Sequence, residues 1–294
     1  MGPAGTTVIA PIAPLSPREG LPEILFSRKG AKVEHGTDPG DFYCEHLFFS
    51  AQTETAKPGS SVQKNARGEA LVGFLHVPHD AHLSGDASDT YTEAARHAGT
   101  RKVVGAALRG YFEDALPNVK SGPIKILLTG YGPFDWIKNN PTGDFTTHVE
   151  NIDAAMKEAF GKRLLSSGGR LLKKKSVEGV ESRAYEYRVK DSVSSKERTV
   201  IIEAHRLPVD DHAIDGADPR SIQKAIARLE PHAVLSMGTA PGEAFRAEFH
   251  ADSGGMTTGG APHHVPDAPA TVSLGDNYSL ARALVRSAAK DLKR

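Results

Sequence analysis

The stretch around which the rest of the chain is organised is Asp38-Pro39-Gly40-Asp41-Phe42-Tyr43-Cys44-Glu45-His46-Leu47-Phe48-Phe49, which holds the only cysteine of the protein. Residues 31–35 before it predict a short strand, and the Asp-Pro-Gly turn separates that strand from a helix that starts at Cys44. A thiol in the first turn of a helix lies near unpaired backbone N–H groups and the positive end of the helix dipole, which favour the thiolate. Cys44 is therefore a candidate nucleophile, although a lone cysteine is also commonly a small buried apolar residue.

A second stretch, Leu71-Val72-Gly73-Phe74-Leu75-His76-Val77-Pro78, predicts an apolar strand with a histidine near its end. An imidazole can take the proton of a thiol, so His76 and Cys44 together suggest nucleophilic catalysis. The alternative for His76 is a core histidine whose hydrogen bonds are satisfied. His79 and His82 follow in a loop, but without a carboxylate at helical spacing we expect no metal site there.

Apolar runs and helical periods alternate along the rest of the chain. This alternation predicts an α/β fold, a three-layer α/β/α sandwich around a mostly parallel mixed sheet. We expect residues 161–175 to end a helix and form a basic surface, and residues 254–269 to form a loop. The further strands are predicted at residues 124–130, 185–189, 199–207 and 233–238, and the helices at residues 91–116, 144–160, 219–229 and 278–292.

The composition is that of an ordinary globular protein, with 294 residues, 39% hydrophobic and 24% charged. Lysine plus arginine and aspartate plus glutamate balance at 36 each, so no net field favours nucleic acid or an anionic membrane. A single cysteine excludes an internal disulfide and a CxxC zinc framework, which favours a cytoplasmic location. No P-loop and no GxGxxG after a strand is present, so we expect no cofactor.

No apolar run approaches the length of a membrane span, and we expect no signal peptide. Residues 1–22 are rich in Pro, Gly and Ala, which predicts an extended arm. Residues 23–294 are then expected to form a single domain.

Two segments of the second half of the chain resemble motifs of the pyroglutamyl peptidase I (pyrrolidone-carboxyl peptidase) family of cysteine peptidases. Leu127-Leu128-Thr129-Gly130-Tyr131-Gly132-Pro133-Phe134, followed by Asn140-Pro141-Thr142, resembles the TGF-x-PF stretch and the NP pair after the first strand of the family. Leu235-Ser236-Met237-Gly238-Thr239-Ala240-Pro241-Gly242, followed by Glu248, resembles its Gly-rich loop and catalytic glutamate.

Two segments of the first half resemble the other motifs of that family. Asp38 to Cys44, with its Leu-Phe-Phe tail, resembles the AG-x-x-x-CN nucleophile segment, and Gly73 to Pro78 resembles the GFIHVP histidine strand. In the family these motifs follow the TGF-x-PF strand, whereas here they precede it. The chain therefore resembles a circular permutant, with the C-terminal part of the family at about residues 20–117 and its N-terminal part at about residues 123–255.

The resemblance implies an α/β hydrolase-type domain with permuted strand order and a catalytic triad of Cys44, His76 and Glu248. The implied substrate is a peptide or small amide with an N-terminal 5-oxoprolyl (pyroglutamyl) group, and a homo-oligomer is left open. The substrate-binding positions that it implies are Phe42, Tyr131 and Phe134, which match an aromatic slot for the lactam ring, with Asn140 and Thr239.

The sequence departs from the family at several points. Glu45 stands where the family has asparagine, and its charge would raise the pKa of the neighbouring thiol unless it points away. Pro241 interrupts the Gly-rich loop, and Glu248 aligns only after a one-residue gap. Glu243 is close by, and either carboxylate could instead be a solvated loop residue. Two other functions stay open: a binding or scaffold protein with a decayed site, and a thiol amidase or esterase with another substrate.

Overall fold

The computed structural model shows an α/β architecture with one large mixed sheet. It describes residues 21, 24–28, 31–36, 43–78, 93–133, 140–177, 180–240, 242, 244–251, 254–256, 262–264 and 276–291. The helices are α1 (Tyr43–Ala56), α2 (Glu93–Ala115), α3 (Pro141–Thr147), α4 (Val149–Phe160), α5 (Ile222–Leu229) and α6 (Ser279–Asp291). The strands are β1 (Ile24–Arg28), β2 (Ala31–Gly36), β3 (Val72–Pro78), β4 (Ile124–Tyr131), β5 (Arg170–Val177), β6 (Val180–Lys190), β7 (Glu197–Leu207), β8 (Ala233–Ala240), β9 (Phe245–Glu248), β10 (Gly254–Met256) and β11 (Pro262–His264).

Nine of these strands form one sheet in the order β1-β2-β9-β3-β8-β4-β7-β6-β5, while β10 and β11 form a separate hairpin. The central pairs β3–β8, β8–β4 and β4–β7 are parallel, as is β2–β9. The pairs β1–β2, β3–β9, β5–β6 and β6–β7 are antiparallel. The α/β class is thus confirmed, but the sheet is evenly mixed rather than mostly parallel. The physical reason is that the short turns after β5 and β6 can only join antiparallel neighbours.

Helices cover both faces of the sheet. A side chain at Gly73 of β3 would contact Tyr111 of α2 and Leu280 of α6. The next residue, Phe74, points to the opposite face, where its ring lies near Cys44 of α1. α5 packs against α1, and α4 packs against α2. This arrangement is consistent with the predicted three-layer sandwich.

Strands from the two halves of the chain interleave in this sheet. β3 comes from the first half, yet it lies between β9 and β8 from the second half. β4 lies between β8 and β7, so it is an interior strand although it falls in the middle of the chain. The circular permutation itself stays a prediction.

Some element predictions were incomplete or wrong. Residues 161–175 do present the exposed basic surface that was expected, but the sequence missed that residues 170–177 form the edge strand β5, because burial imposes no alternating pattern on an exposed strand. Residues 144–160 were expected to form one helix, but His148 adopts an extended backbone that separates α3 from α4. β1 and β9 were not predicted, and β10 and β11 lie within residues 254–269, which were wrongly expected to form only a loop. His79, His82 and all of the proposed arm except residue 21 lie outside the described residues.

Candidate active site

The only cysteine lies in the first turn of α1, as the sequence predicted. Cys44 is the second residue of this helix and is partly buried. Its Sγ atom packs over β8, because a Cβ atom added at Gly238 would lie only 2.6 Å from it. Gly238 is the register partner of His76 in the parallel pair β3–β8. The packing of α1 on β8 and the pairing of β8 with β3 therefore bring the thiol and the histidine to the same part of the sheet.

His76 and Glu248 are in direct contact inside the protein. The Nδ1 atom of His76 lies 2.8 Å from Oε1 of Glu248, and the two residues are 4% and 1% exposed. Glu248 ends β9, which lies between β2 and β3, and its register partners are Gly36 and Phe74. Glu248 is thus a buried strand residue and not a solvated loop carboxylate. Glu243, the alternative carboxylate, lies outside the described residues.

The contact with Glu248 assigns a tautomer to the neutral His76 ring. A carboxylate only accepts hydrogen bonds, so Nδ1 carries the proton and Nε2 keeps the basic lone pair. The edge-to-face packing of the Phe74 ring, with centroids 5.0 Å apart, further restricts the imidazole. This is the arrangement that a general base needs, since its second nitrogen is held by a carboxylate.

The thiol does not have the depressed pKa that its helix position predicted. Burial, followed by the negative charge of Glu248, raises the pKa of Cys44 to about 12. Desolvation of the charged thiolate is the larger of these two causes. Glu45, whose charge was expected to raise the pKa of the thiol unless it pointed away, is buried on α1, and the acidic neighbour that raises this pKa is Glu248. Both Cys44 and His76 are described, and no hydrogen bond joins the sulfur to the ring.

Tyr131, predicted to line the lactam slot, is buried and hydrogen-bonded to the start of α1. It is 2% exposed, and its hydroxyl donates a 2.7 Å hydrogen bond to the carbonyl oxygen of Tyr43, the residue before Cys44. The side chain of Tyr43 is bonded to Asp211, and burial together with the charges of Asp211 and Asp210 raises its pKa to about 12. These contacts fix the start of α1 and hence the position of the thiol.

The other predicted binding residues lie in different settings. Asn140 is 1% exposed and caps α3, where its Oδ1 accepts a hydrogen bond from the Thr142 amide and its Nδ2 donates to the Gly132 carbonyl. Thr239 is partly buried near the end of β8, opposite Val77 of β3. Phe42, Phe134 and Pro241 lie outside the described residues.

Sequence reasoning missed three residues that shape this site: Gly36, Gly238 as a contact of the thiol, and the Tyr131 hydroxyl. Glycine inside a strand is a signal of close approach by another group, and that signal was available at Gly238, whereas Gly36 lies one residue beyond the predicted strand. A second available signal was Tyr131 itself, which stands where the motif that this stretch resembles has phenylalanine.

Two kinds of site are missing from the part of the chain that the structure describes. No group of three or more His, Cys, Asp or Glu side chains there is arranged to hold a metal ion. None of the helices in the same ranges combines the length and apolar character needed to cross a membrane.

Comparisons of the chain with protein-family models, with curated proteins and with solved structures gave no significant match.

Proposed function

We propose that the chain is a cysteine hydrolase that removes an N-terminal 5-oxoproline from peptides, with Cys44, His76 and Glu248 as its triad. The observation that carries the proposal is the buried 2.8 Å contact between His76 and Glu248, beside a thiol in the first turn of a helix. A buried histidine held by a carboxylate next to a nucleophilic side chain is the recurring constellation of acyl-transfer enzymes.

In the proposed reaction, the Cys44 sulfur forms a bond to the carbonyl carbon of the 5-oxoprolyl group. His76 takes the thiol proton at Nε2 and then gives it to the leaving amine as the C–N bond breaks. Water then attacks the thioester carbonyl carbon while His76 takes a water proton, and the proton goes to the sulfur as the C–S bond breaks and 5-oxoproline leaves. Glu248 holds the ring through Nδ1 and stabilises the imidazolium, while backbone N–H groups at the start of α1 are the natural donors to the oxyanion.

The raised pKa of Cys44 determines the order of proton transfer. With a pKa of about 12, the resting thiol is neutral at physiological pH. A stable thiolate–imidazolium pair is therefore not the ground state. The proton has to move to His76 as the sulfur attacks, so replacement of His76 is expected to remove activity and not only to shift its pH optimum.

The choice of 5-oxoproline rests on the motif resemblance, because Tyr131 is buried and its hydroxyl is bonded to the Tyr43 carbonyl oxygen. The proposal includes Phe42 and Phe134 as walls of a lactam slot, with Asn140 and Thr239 nearby, a cytoplasmic location and no cofactor. A thiol amidase or esterase acting on another acyl group would use the same three residues.

A second candidate function is a binding or scaffold protein with a decayed site. The observation that favours it is the raised pKa of Cys44, together with the lack of a hydrogen bond from the sulfur to His76. The two candidates differ in whether binding of an amide is followed by turnover.

Hydrolysis of a 5-oxoprolyl arylamide, compared with plain aminoacyl arylamides and esters, tests the proposal. We expect Cys44→Ser and His76→Ala to remove turnover of the 5-oxoprolyl substrate and Glu248→Gln to weaken it less, with circular dichroism unchanged. His97→Ala is the matched histidine control. His97 lies on α2, and α2 covers the face of the sheet opposite α1, so this variant should keep its turnover. Preference for aminoacyl substrates would favour the other amidase, and a wild type inert toward every substrate would favour the decayed site.

A further inference from the structure

The last residue of β2 faces the carboxylate of the proposed triad. Gly36 and Glu248 are register partners in the parallel pair β2–β9. A Cβ atom added at Gly36 would lie 1.8 Å from Oε2, 2.1 Å from Cδ and 2.2 Å from Oε1 of Glu248. The carboxylate therefore occupies the space of the missing side chain.

Glycine is required at position 36 because the Glu248 carboxylate leaves no room for a side chain, and not because of the backbone conformation. Gly36 is absent from the described glycines with positive φ, so an alanine there would meet no backbone strain. The obstacle is also the end of a side chain rather than another backbone. A methyl group at position 36 would thus displace the carboxylate before it displaced the strands.

The carboxylate has little room to move without losing His76. The side chain of Glu248 is fully buried, and Oε1 is held by His76 Nδ1. Oε2 has no hydrogen-bond partner among the described residues, so no second bond compensates for loss of the first. Any displacement of Glu248 therefore acts on the imidazole.

We propose that Gly36 is a positioning residue, whose missing side chain provides the space from which Glu248 fixes the tautomer and orientation of His76. The catalytic consequence of this role rests on the proposed hydrolase function, whereas its geometric part does not. In Gly36→Ala we expect Nδ1 of His76 to lose its acceptor, and the ring to populate both neutral tautomers.

A double-mutant cycle measured by denaturation tests the geometric part. Gly36→Ala is expected to lower the denaturation midpoint of the wild type, but to cost much less in a Glu248→Ala background, where no carboxylate fills the space. An equal decrease of the denaturation midpoint in the wild-type and Glu248→Ala backgrounds would overturn the proposal. If Gly36→Ala alone does not fold, folding of the double variant supports the proposal, and its failure to fold overturns it.

The nitrogen-15 NMR signals of the His76 ring provide a readout that does not depend on turnover. The wild type is expected to show the tautomer protonated at Nδ1, and Gly36→Ala a mixture; an unchanged tautomer would contradict the proposal. Gly105→Ala is the matched control, since its Cβ would lie 2.7 Å from the Ala155 carbonyl oxygen and should lower stability without changing His76. If the wild type hydrolyses no substrate, the proposed function fails, while these two measurements still decide the role of Gly36.

Discussion

Folding should make Cys44 nearly unreactive toward alkylating agents at neutral pH. Burial and the Glu248 charge raise the pKa of the thiol from 9.0 to about 12. At pH 7 the thiolate fraction then falls from about 10⁻² to about 10⁻⁵, and alkylation should slow about a thousandfold, which corresponds to ~4 kcal/mol against the charged form.

The assay is the rate of iodoacetamide addition, followed by intact mass, to the native protein and to the urea-unfolded chain between pH 6 and pH 10. Because Cys44 is the only cysteine, the added mass reports this residue alone. Glu248→Gln keeps the size of the side chain and removes the second cause of the raised pKa, so it should speed labelling of the native protein without reaching the unfolded rate.

Glu186→Gln is the matched control for this charge change. Glu186 forms an ion pair with Arg170 on the β5–β6 hairpin, outside the triad, and the labelling rate should not change. Rapid stoichiometric labelling of the folded wild type at pH 7 would refute the reasoning about burial. Identical rates for wild type and Glu248→Gln would refute the assigned role of the Glu248 charge.

Three further predictions concern stability. Tyr131→Phe removes the hydroxyl bonded to the Tyr43 carbonyl oxygen and should lower the free energy of unfolding by about 1 kcal/mol in urea titrations; an unchanged value would show that this bond does not anchor α1. Burial lowers the pKa of His205 from 6.5 to about 3, so the unfolded chain binds a proton that the folded state excludes, and stability is lost as pH falls from 6.5 toward 3. His205→Phe should therefore move the acid-unfolding midpoint to lower pH, and a midpoint that stays in place would count against this assignment. Gly238→Ala would place a methyl group 2.6 Å from Cys44 Sγ and 2.8 Å from Phe74 Cζ, which should cost about 1–3 kcal/mol in thermal unfolding. A variant as stable as the wild type would show that the thiol can move aside freely.

The sequence predicted the interior of the fold better than its edges. β3, β4 and β8 are buried apolar runs, and each was found close to its observed bounds. β5 was missed because an exposed edge strand carries lysines where a buried strand carries apolar residues. The four-residue strand β9 was missed because it is too short to show a period and is held by pairing on both sides, with β2 and β3.

Part of the candidate site could likewise be predicted from the sequence and part could not. The three residues of the proposed triad were predicted from motifs, and the structure brings His76 and Glu248 into contact. The helix position of Cys44 predicted a lowered pKa, whereas burial raises it, because the helix position is visible in a sequence and the depth of burial is not. Gly36 was missed because its role depends on the register between β2 and β9, which lie far apart in the chain.

The measurement that tests the central claim most directly is the mass of the Cys44 peptide after rapid quenching of the reaction with a 5-oxoprolyl ester or arylamide. The account predicts a 5-oxoprolyl thioester on Cys44 of the wild type, which disappears as product accumulates, and none in Cys44→Ser. Turnover by Cys44→Ser, or a wild type that forms neither the thioester nor product, would contradict it.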